Sequence, residues 1–177
     1  MKRILVIFGL IFLIALNIVG WSQVDQLAKT RTQAIKEGTT YRELENKDRW
    51  AEFSDKEIVA VVMLLEARGE TKYKGMAAVG QVIKNRVDFC IRGKTAREVC
   101  LAKKQFAITV VKKTNESIRG LLKTKEGKLA SSYAKKILEK KDIDKRVSGK
   151  YIYFCTYRAS WMKRGLKKIG NHYFAEF

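Results

Sequence analysis

Residues 58–65, Ile-Val-Ala-Val-Val-Met-Leu-Leu, form an unbroken apolar run that is preceded by Ser54-x-x-Glu57 and closed by Glu66. A serine followed three residues later by a glutamate is a capping box, in which each residue's side chain accepts from the other's orphan backbone N–H, so a helix starts there. The spacing predicts a helix from Ser54 to about Arg68, with Gly69 as its natural stop. Ile58, Val62 and Leu65 mark the stripe that faces the core, and Glu66, four residues after Val62 and eight after Ile58, continues it. A carboxylate on that stripe is partly withdrawn from water, and desolvation raises its pKa toward the range a general acid needs at neutral pH. Glu66 is therefore a candidate catalytic group. A solvated helix end is the plainer reading of a glutamate in this position.

A second helix is expected over residues 73–86, with Gly75, Ala78, Val79, Val82 and Ile83 on one face. Its small residues Gly75, Ala77, Ala78 and Gly80 allow close approach to the first helix, and the turn between the two holds Glu66 in place. Thr95 and Glu98 form another capping box that opens a short helix ending before Gln105-Phe106-Ala107. Residues 112–128 are basic and ambiguous, while Leu129, Tyr133, Ile137 and Leu138 mark a further helix of about a dozen residues. The lysine-rich outer face of that helix reads as plain solvation. Tyr151-Ile152-Tyr153-Phe154 and His172-Tyr173-Phe174 are aromatic and β-branched and read as strands able to pair. The expected class is α+β, mainly helical, with a small antiparallel sheet, and the 177 residues suit one catalytic domain.

The first residues differ sharply from this body. After Met1, Lys2 and Arg3, residues 4–20 are apolar except for Asn17, and Trp21 follows. Such a stretch rises about 25 Å as a helix, the short end of the membrane-spanning range. A basic flank before it and an aromatic after it predict a cytoplasmic N-terminus and an exported body. A cleaved signal peptide is the competing reading, and no small-x-small site stands out near its end. The expected organisation is a transmembrane signal anchor, or signal peptide, over residues 1–21, a juxtamembrane stalk over 22–52, and the catalytic body over 53–177. The formal charge is +19, or +17 without Lys2 and Arg3, and it is spread along the chain. A body so basic adheres to polyanions; an export signal favours an anionic envelope over nucleic acid.

Cys90, Cys100 and Cys155 permit at most one disulfide, with a Cys90–Cys100 clip and buried free thiols both open. With one histidine, His172, and no cysteine pair at zinc spacing, no metal site and no cofactor are expected.

Glu66-Ala67-Arg68-Gly69-Glu70, then Gly75, Ala78-Val79 and Val82-Ile83-x-Asn85-Arg86-Val87, resemble the core signature of the SleB/CwlJ-type cell wall hydrolases, known from spore germination and from bacteriophages. Downstream, Gln105-Phe106-Ala107 resembles that family's Gln-Phe-Ser element and Tyr153-Phe154 its aromatic strand. Ile169-Gly170-Asn171-His172-x-Phe174 resembles its C-terminal Gly-Asn-His-x-Phe element. The resemblance implies a lysozyme-like or lytic-transglycosylase-like fold acting on peptidoglycan glycan strands, with Glu66 as the catalytic acid. In a lytic transglycosylase one carboxylate suffices, whereas hydrolysis needs a second one nearby, for which Glu70 is the candidate.

Arg68, Asn85, Gln105, Phe106, Tyr153 and His172 are the candidate substrate-binding or site-supporting residues. Each has a plainer reading: a dipole-complementing charge for Arg68, a helix-interior amide for Asn85, core packing for Phe106 and a structural imidazole for His172. Tyr151, Tyr153, Tyr157 and Trp161 near Arg158 offer aromatic faces of the kind a sugar groove uses. The expectation is a monomeric peptidoglycan-cleaving glycosidase outside the cytoplasm, held to the membrane through residues 4–20, with a lysis-associated phage role or bacterial wall remodelling both open. The alternative is a membrane-tethered, non-enzymatic binder of nucleic acid or anionic polymer.

Overall fold

The computed structural model describes residues 49–67, 75–111 and 113–177, together with Lys29 and Thr32. The chain divides into two units, Met1–Arg49 and Trp50–Phe177, and the second contains Glu66 and every element that packs around it. The apolar segment 4–20, the stalk before residue 49, and Arg68, Gly69 and Glu70 lie outside the described residues, apart from Lys29 and Thr32. Among the described residues no helix is long and apolar enough to cross a membrane.

The body starts at Trp50, three residues before the expected Phe53. Trp50 is 1 % exposed, and its ring lies 5.2 Å from that of Phe53. The Arg97 guanidinium ties this entry down by donating to the Trp50 and Phe53 carbonyls and to Asp55 Oδ1.

Helix α1, Asp55–Glu66, begins at the expected capping box: the Ser54 hydroxyl accepts from the Glu57 N–H, and the Glu57 carboxylate accepts from the Ser54 N–H. The apolar residues from Ile58 through Leu64 are all buried, so α1 has no solvent face there and runs through the middle of the core rather than lying on it. That is why its sequence is apolar all round instead of striped. It ends at Glu66, with Ala67 as the cap and its N–H on the Met63 carbonyl, two residues short of the expected end.

Helix α2, Met76–Asp88, follows Gly75 and runs two residues past the expected Arg86, while residue 73 lies outside the described residues. Gly80 is where helices meet closely: a Cβ there would come 2.8 Å from Ile143 Cδ1, 2.9 Å from Met63 Cε and 3.0 Å from Ile137 Cδ1. Helix α3, Ala96–Leu101, carries the predicted Thr95/Glu98 capping box, and a 3₁₀ turn follows at Ala107–Val110. The ambiguous basic stretch holds α4, Asn115–Lys123, and α5, Lys125–Leu138, is the helix expected around Tyr133. Thr124 joins them, closing α4 while its hydroxyl caps α5 through the Gly127 N–H.

After a short 3₁₀ turn at Lys145–Val147, strands β1 (Tyr151–Cys155), β2 (Lys167–Ile169) and β3 (His172–Glu176) form an antiparallel sheet in the order β1-β3-β2. The two expected strands do pair, Phe154 opposite Phe174 and Cys155 opposite Tyr173. Strand β2 is an addition to the expected sheet, because Lys167-Lys168 carries no apolar signal. It forms as the near arm of a hairpin whose Gly170 has φ +60°, the backbone that a two-residue turn requires of its first residue. The sheet packs on α2, with Ala78, Val79 and Val82 against Val147, Tyr151, Ile169 and Phe174.

Two buried amides lock the sheet to α2. Asn85 Nδ2 donates to the carbonyls of Val147 (2.8 Å) and Tyr151 (2.7 Å), and its Oδ1 accepts from Gln81 Nε2 at 3.0 Å. Gln81 in turn donates to Asp142 and accepts from the N–H groups of Ile143 and Asp144. Asn85→Ala removes both donors and strands two carbonyls in the interior, at about 1–3 kcal/mol for each unsatisfied group. Chemical denaturation should show a loss of about 2–4 kcal/mol, with the midpoint falling and the slope kept.

Candidate active site

Because α1 is buried from Ile58 through Leu64, its C-terminal end is where a side chain can next turn toward the surface. Glu66 occupies that place, half-buried, with Oε1 accepting the Ala107 N–H at 2.6 Å. Ala107 opens the 3₁₀ turn, and the N–H groups at a helix start have no partner within the helix. The Gln105-Phe106-Ala107 element thus meets Glu66 through its backbone. Burial pushes the Glu66 pKa above its ordinary value, against the opposing effects of the Ala107 hydrogen bond, His172 and Arg86.

Those two basic groups come from different elements. His172, at the start of β3, is 2 % exposed, and its ring lies 5.4 Å from Phe154 and 6.2 Å from Phe174. Phe154 also stacks on Phe174 at 6.0 Å and approaches Phe106 at 5.9 Å. An aromatic column therefore links the Phe106 loop to the sheet and seats the imidazole. Arg86, near the end of α2, is 7 % exposed. Its Nε donates to the Ile152 carbonyl at 2.9 Å, and its Cζ sits 5.1 Å over the Phe106 ring. Burial brings the Arg86 pKa down to about 10, with Cys100, Tyr153 and Glu66 acting in the opposite sense.

Glu66, Phe106, His172 and Tyr153 thus gather around Arg86 and the Ala107 amide. Phe106 is 5 % exposed, so it walls the site from within, whereas Tyr153 is 39 % exposed and stands edge-on to Trp161 at 5.3 Å. Trp161 and Tyr157 are more open still, while Tyr151 is buried with the Lys167 ammonium over its ring. Asn85 bonds the 147–151 connection and not Glu66, so it supports the site through β1. The Gln105 amide donates to the Lys103 carbonyl of its own loop. Arg68 and Glu70 lie outside the described residues.

Cys90, Cys100 and Cys155 are free thiols, so no Cys90–Cys100 clip forms. Cys100 is wholly buried beside Arg86, and burial pushes its pKa far up, which keeps it a protonated core residue. Among the described residues no group of three or more His, Cys, Asp or Glu is placed to hold a metal.

Arg86 has no role of its own in the sequence reading, although the signal is present. It lies seven residues after Val79, four after Val82 and three after Ile83, on the buried stripe of α2, just as Glu66 lies on that of α1. The Ala107 amide could not be anticipated, since a backbone donor leaves no mark in the sequence.

The family model described as Cell Wall Hydrolase matches residues 70–175, well over half of the chain. The match starts just after Glu66 and takes in α2, the Phe106 loop and all of the sheet but its last residue. No curated protein and no solved structure matches the chain.

A carboxyl whose pKa is raised by folding stabilises the fold below its unfolded pKa, and that contribution is lost as pH rises through the folded value. Glu66→Gln keeps the shape and the acceptor but cannot ionise. The variant should melt with the native chain at pH below the ordinary carboxyl value of 4.5 and at higher temperature near neutrality. Thermal melts across this range check the sign.

Proposed function

The chain belongs to the cell wall hydrolase family, and on that premise we propose that it cleaves peptidoglycan glycan strands as a lytic transglycosylase with Glu66 as general acid and base. The observation that carries this reading is the half-buried Glu66 carboxyl, raised in pKa yet provided with an N–H donor and two basic neighbours. Burial shifts the carboxyl toward its protonated form, the form an acid catalyst needs. The Ala107 amide, Arg86 and His172 then stabilise the carboxylate left once the proton has gone.

In the reaction, protonated Glu66 gives its proton to the glycosidic oxygen as the bond from that oxygen to the muramoyl C1 breaks. The Glu66 carboxylate next takes the proton of the muramoyl 6-hydroxyl, whose oxygen bonds to C1 and closes a 1,6-anhydro ring. Glu66 is returned protonated, no water is consumed, and one carboxylate is enough. A hydrolytic route would call on a second carboxyl about 5–9.5 Å away, with Glu70 in that role. Tyr153 and Trp161 are suited to stacking on sugar rings, and the basic body to holding the enzyme on an anionic wall. The apolar residues 4–20 fit a membrane anchor with the body outside the cytoplasm, in phage lysis or bacterial wall remodelling.

The full chain, purified in mild detergent, should clear sacculi in a zymogram, and mass spectrometry of the products should show 1,6-anhydromuramoyl ends. Glu66→Gln should lower the rate on the order of 10²–10⁴-fold while keeping the cooperative melt. Reducing muramic ends without anhydro species would replace transglycosylation by hydrolysis. Unchanged clearing by Glu66→Gln would remove Glu66 from the chemistry. Salt-sensitive binding to DNA with no glycan released would make the protein a polyanion binder instead.

A further inference from the structure

Arg86 is a nearly fully buried charge that the proposed reaction uses only as background. Its Nε is committed to the Ile152 carbonyl of β1 and its flat face to the Phe106 ring. Its Nη1 is buried with no hydrogen-bond partner. A guanidinium serving packing alone would have its donors satisfied by nearby carbonyls, as buried polar groups almost always are. This one spans three elements of the site instead: α2 supplies it, β1 holds it, and Phe106 lies under it.

The residue after Phe106 is Ala107, whose N–H is the donor to Glu66. We infer that Arg86 is the positioning residue of the Glu66 site, clamping Phe106 between α2 and β1 so that the Ala107 amide stays aimed at the carboxyl. Resting on the reading of Glu66 as the acid, this goes further by assigning the control of that acid to a residue that need not touch the glycan. A change of the Arg86 side chain shifts the Phe106 ring, the ring carries the next amide with it, and the carboxyl loses the bond that fixes its direction. The same guanidinium supplies a positive charge that favours the ionised form of Glu66.

The groups facing Glu66 are Arg86 from α2, His172 from β3 and the Ala107 amide. Those facing Arg86 are Cys100 from α3, Arg92, Tyr153 from β1 and Glu66 itself. His172, Cys100, Arg92 and Tyr153 are the same residues in every Arg86 variant, so differences between those variants report on Arg86 and on the amide it aims.

The test measures kcat, KM and their pH profiles on peptidoglycan for the full native chain, Glu66→Gln, Arg86→Lys and Arg86→Met. Arg86→Lys keeps the charge but loses the flat stacking face and the Nε bond. Its kcat should fall about tenfold to a hundredfold with KM little changed, and its alkaline limb should move up, because the Ala107 bond that holds the Glu66 pKa down is lost. Arg86→Met removes the charge, so the Glu66 pKa rises and the protonated acid persists to higher pH. The alkaline limb should move up further than in Arg86→Lys, since the charge is lost as well as the bond. An Arg86→Lys variant with native kcat, or with its loss in KM alone, overturns the inference, as does an Arg86→Met profile with its limb unmoved. Should Arg86→Met lose its cooperative melt, the kcat-against-KM split of Arg86→Lys decides by itself. If Glu66→Gln remains active, the Glu66 reading fails; if that variant is dead and Arg86→Lys is normal, only the positioning role fails.

Discussion

Burial of the Ile58–Leu64 stretch of α1 on every side governs how this body is put together. A stretch that is apolar all round leaves no face for solvent, so the other helices are laid around it, while the sheet packs on α2. Past that stretch α1 reaches the surface again at its C-terminal end, where Glu66 sits between core and solvent. The carboxyl owes its raised pKa to that position, because the chain that precedes it has displaced the water that would otherwise solvate its charge. A helix lying on the surface with the same capping box would have ended in an ordinary solvated glutamate.

A carboxyl in that position is useful only if its surroundings are held still, and here the holding is done by buried polar groups as much as by packing. Asn85 and Gln81 bind the connection between α5 and β1 to α2. Arg86 carries the same helix face to β1 and to the Phe106 ring. The aromatic column of Phe106, Phe154 and Phe174 then joins the loop that supplies the Ala107 amide to the strand that supplies His172. Removing one member of such a network costs more than its own bond, since its partners are left unsatisfied in a medium that offers no water. This coupling ties the stability of the body to the geometry around Glu66.

Much of this is legible in the sequence where the signal is local. The capping boxes at Ser54 and Thr95 involve residues three apart, so the starts of α1 and α3 can be read directly. The strands around Tyr153 and Tyr173 declare themselves by aromatic and β-branched composition. Strand β2 does not, because Lys167 and Lys168 join the sheet through backbone bonds that any side chain permits. The ends of α1 and α2 differ from expectation by about two residues, since helix termini depend on what the next residues bond to. The disulfide question is open in the sequence for a similar reason: a spacing of ten residues says that Cys90 and Cys100 can meet, not that Cys100 is enclosed in the core while Cys90 faces solvent.

The sequence by itself determined that a carboxylate ends an apolar helix, that a mainly helical body carries a small antiparallel sheet, and that residues 70–175 match the cell wall hydrolase family. These come from composition, periodicity and residue order, all of which act over a few positions. Only the tertiary structure decided which groups face Glu66: an amide forty-one residues away, an imidazole from the last strand and a guanidinium from the next helix. It also decided that Asn85 supports the strand and not the carboxyl. Such contacts are set by the packing of whole elements around α1. A backbone N–H, being common to nearly every residue, carries no identity until the fold places it.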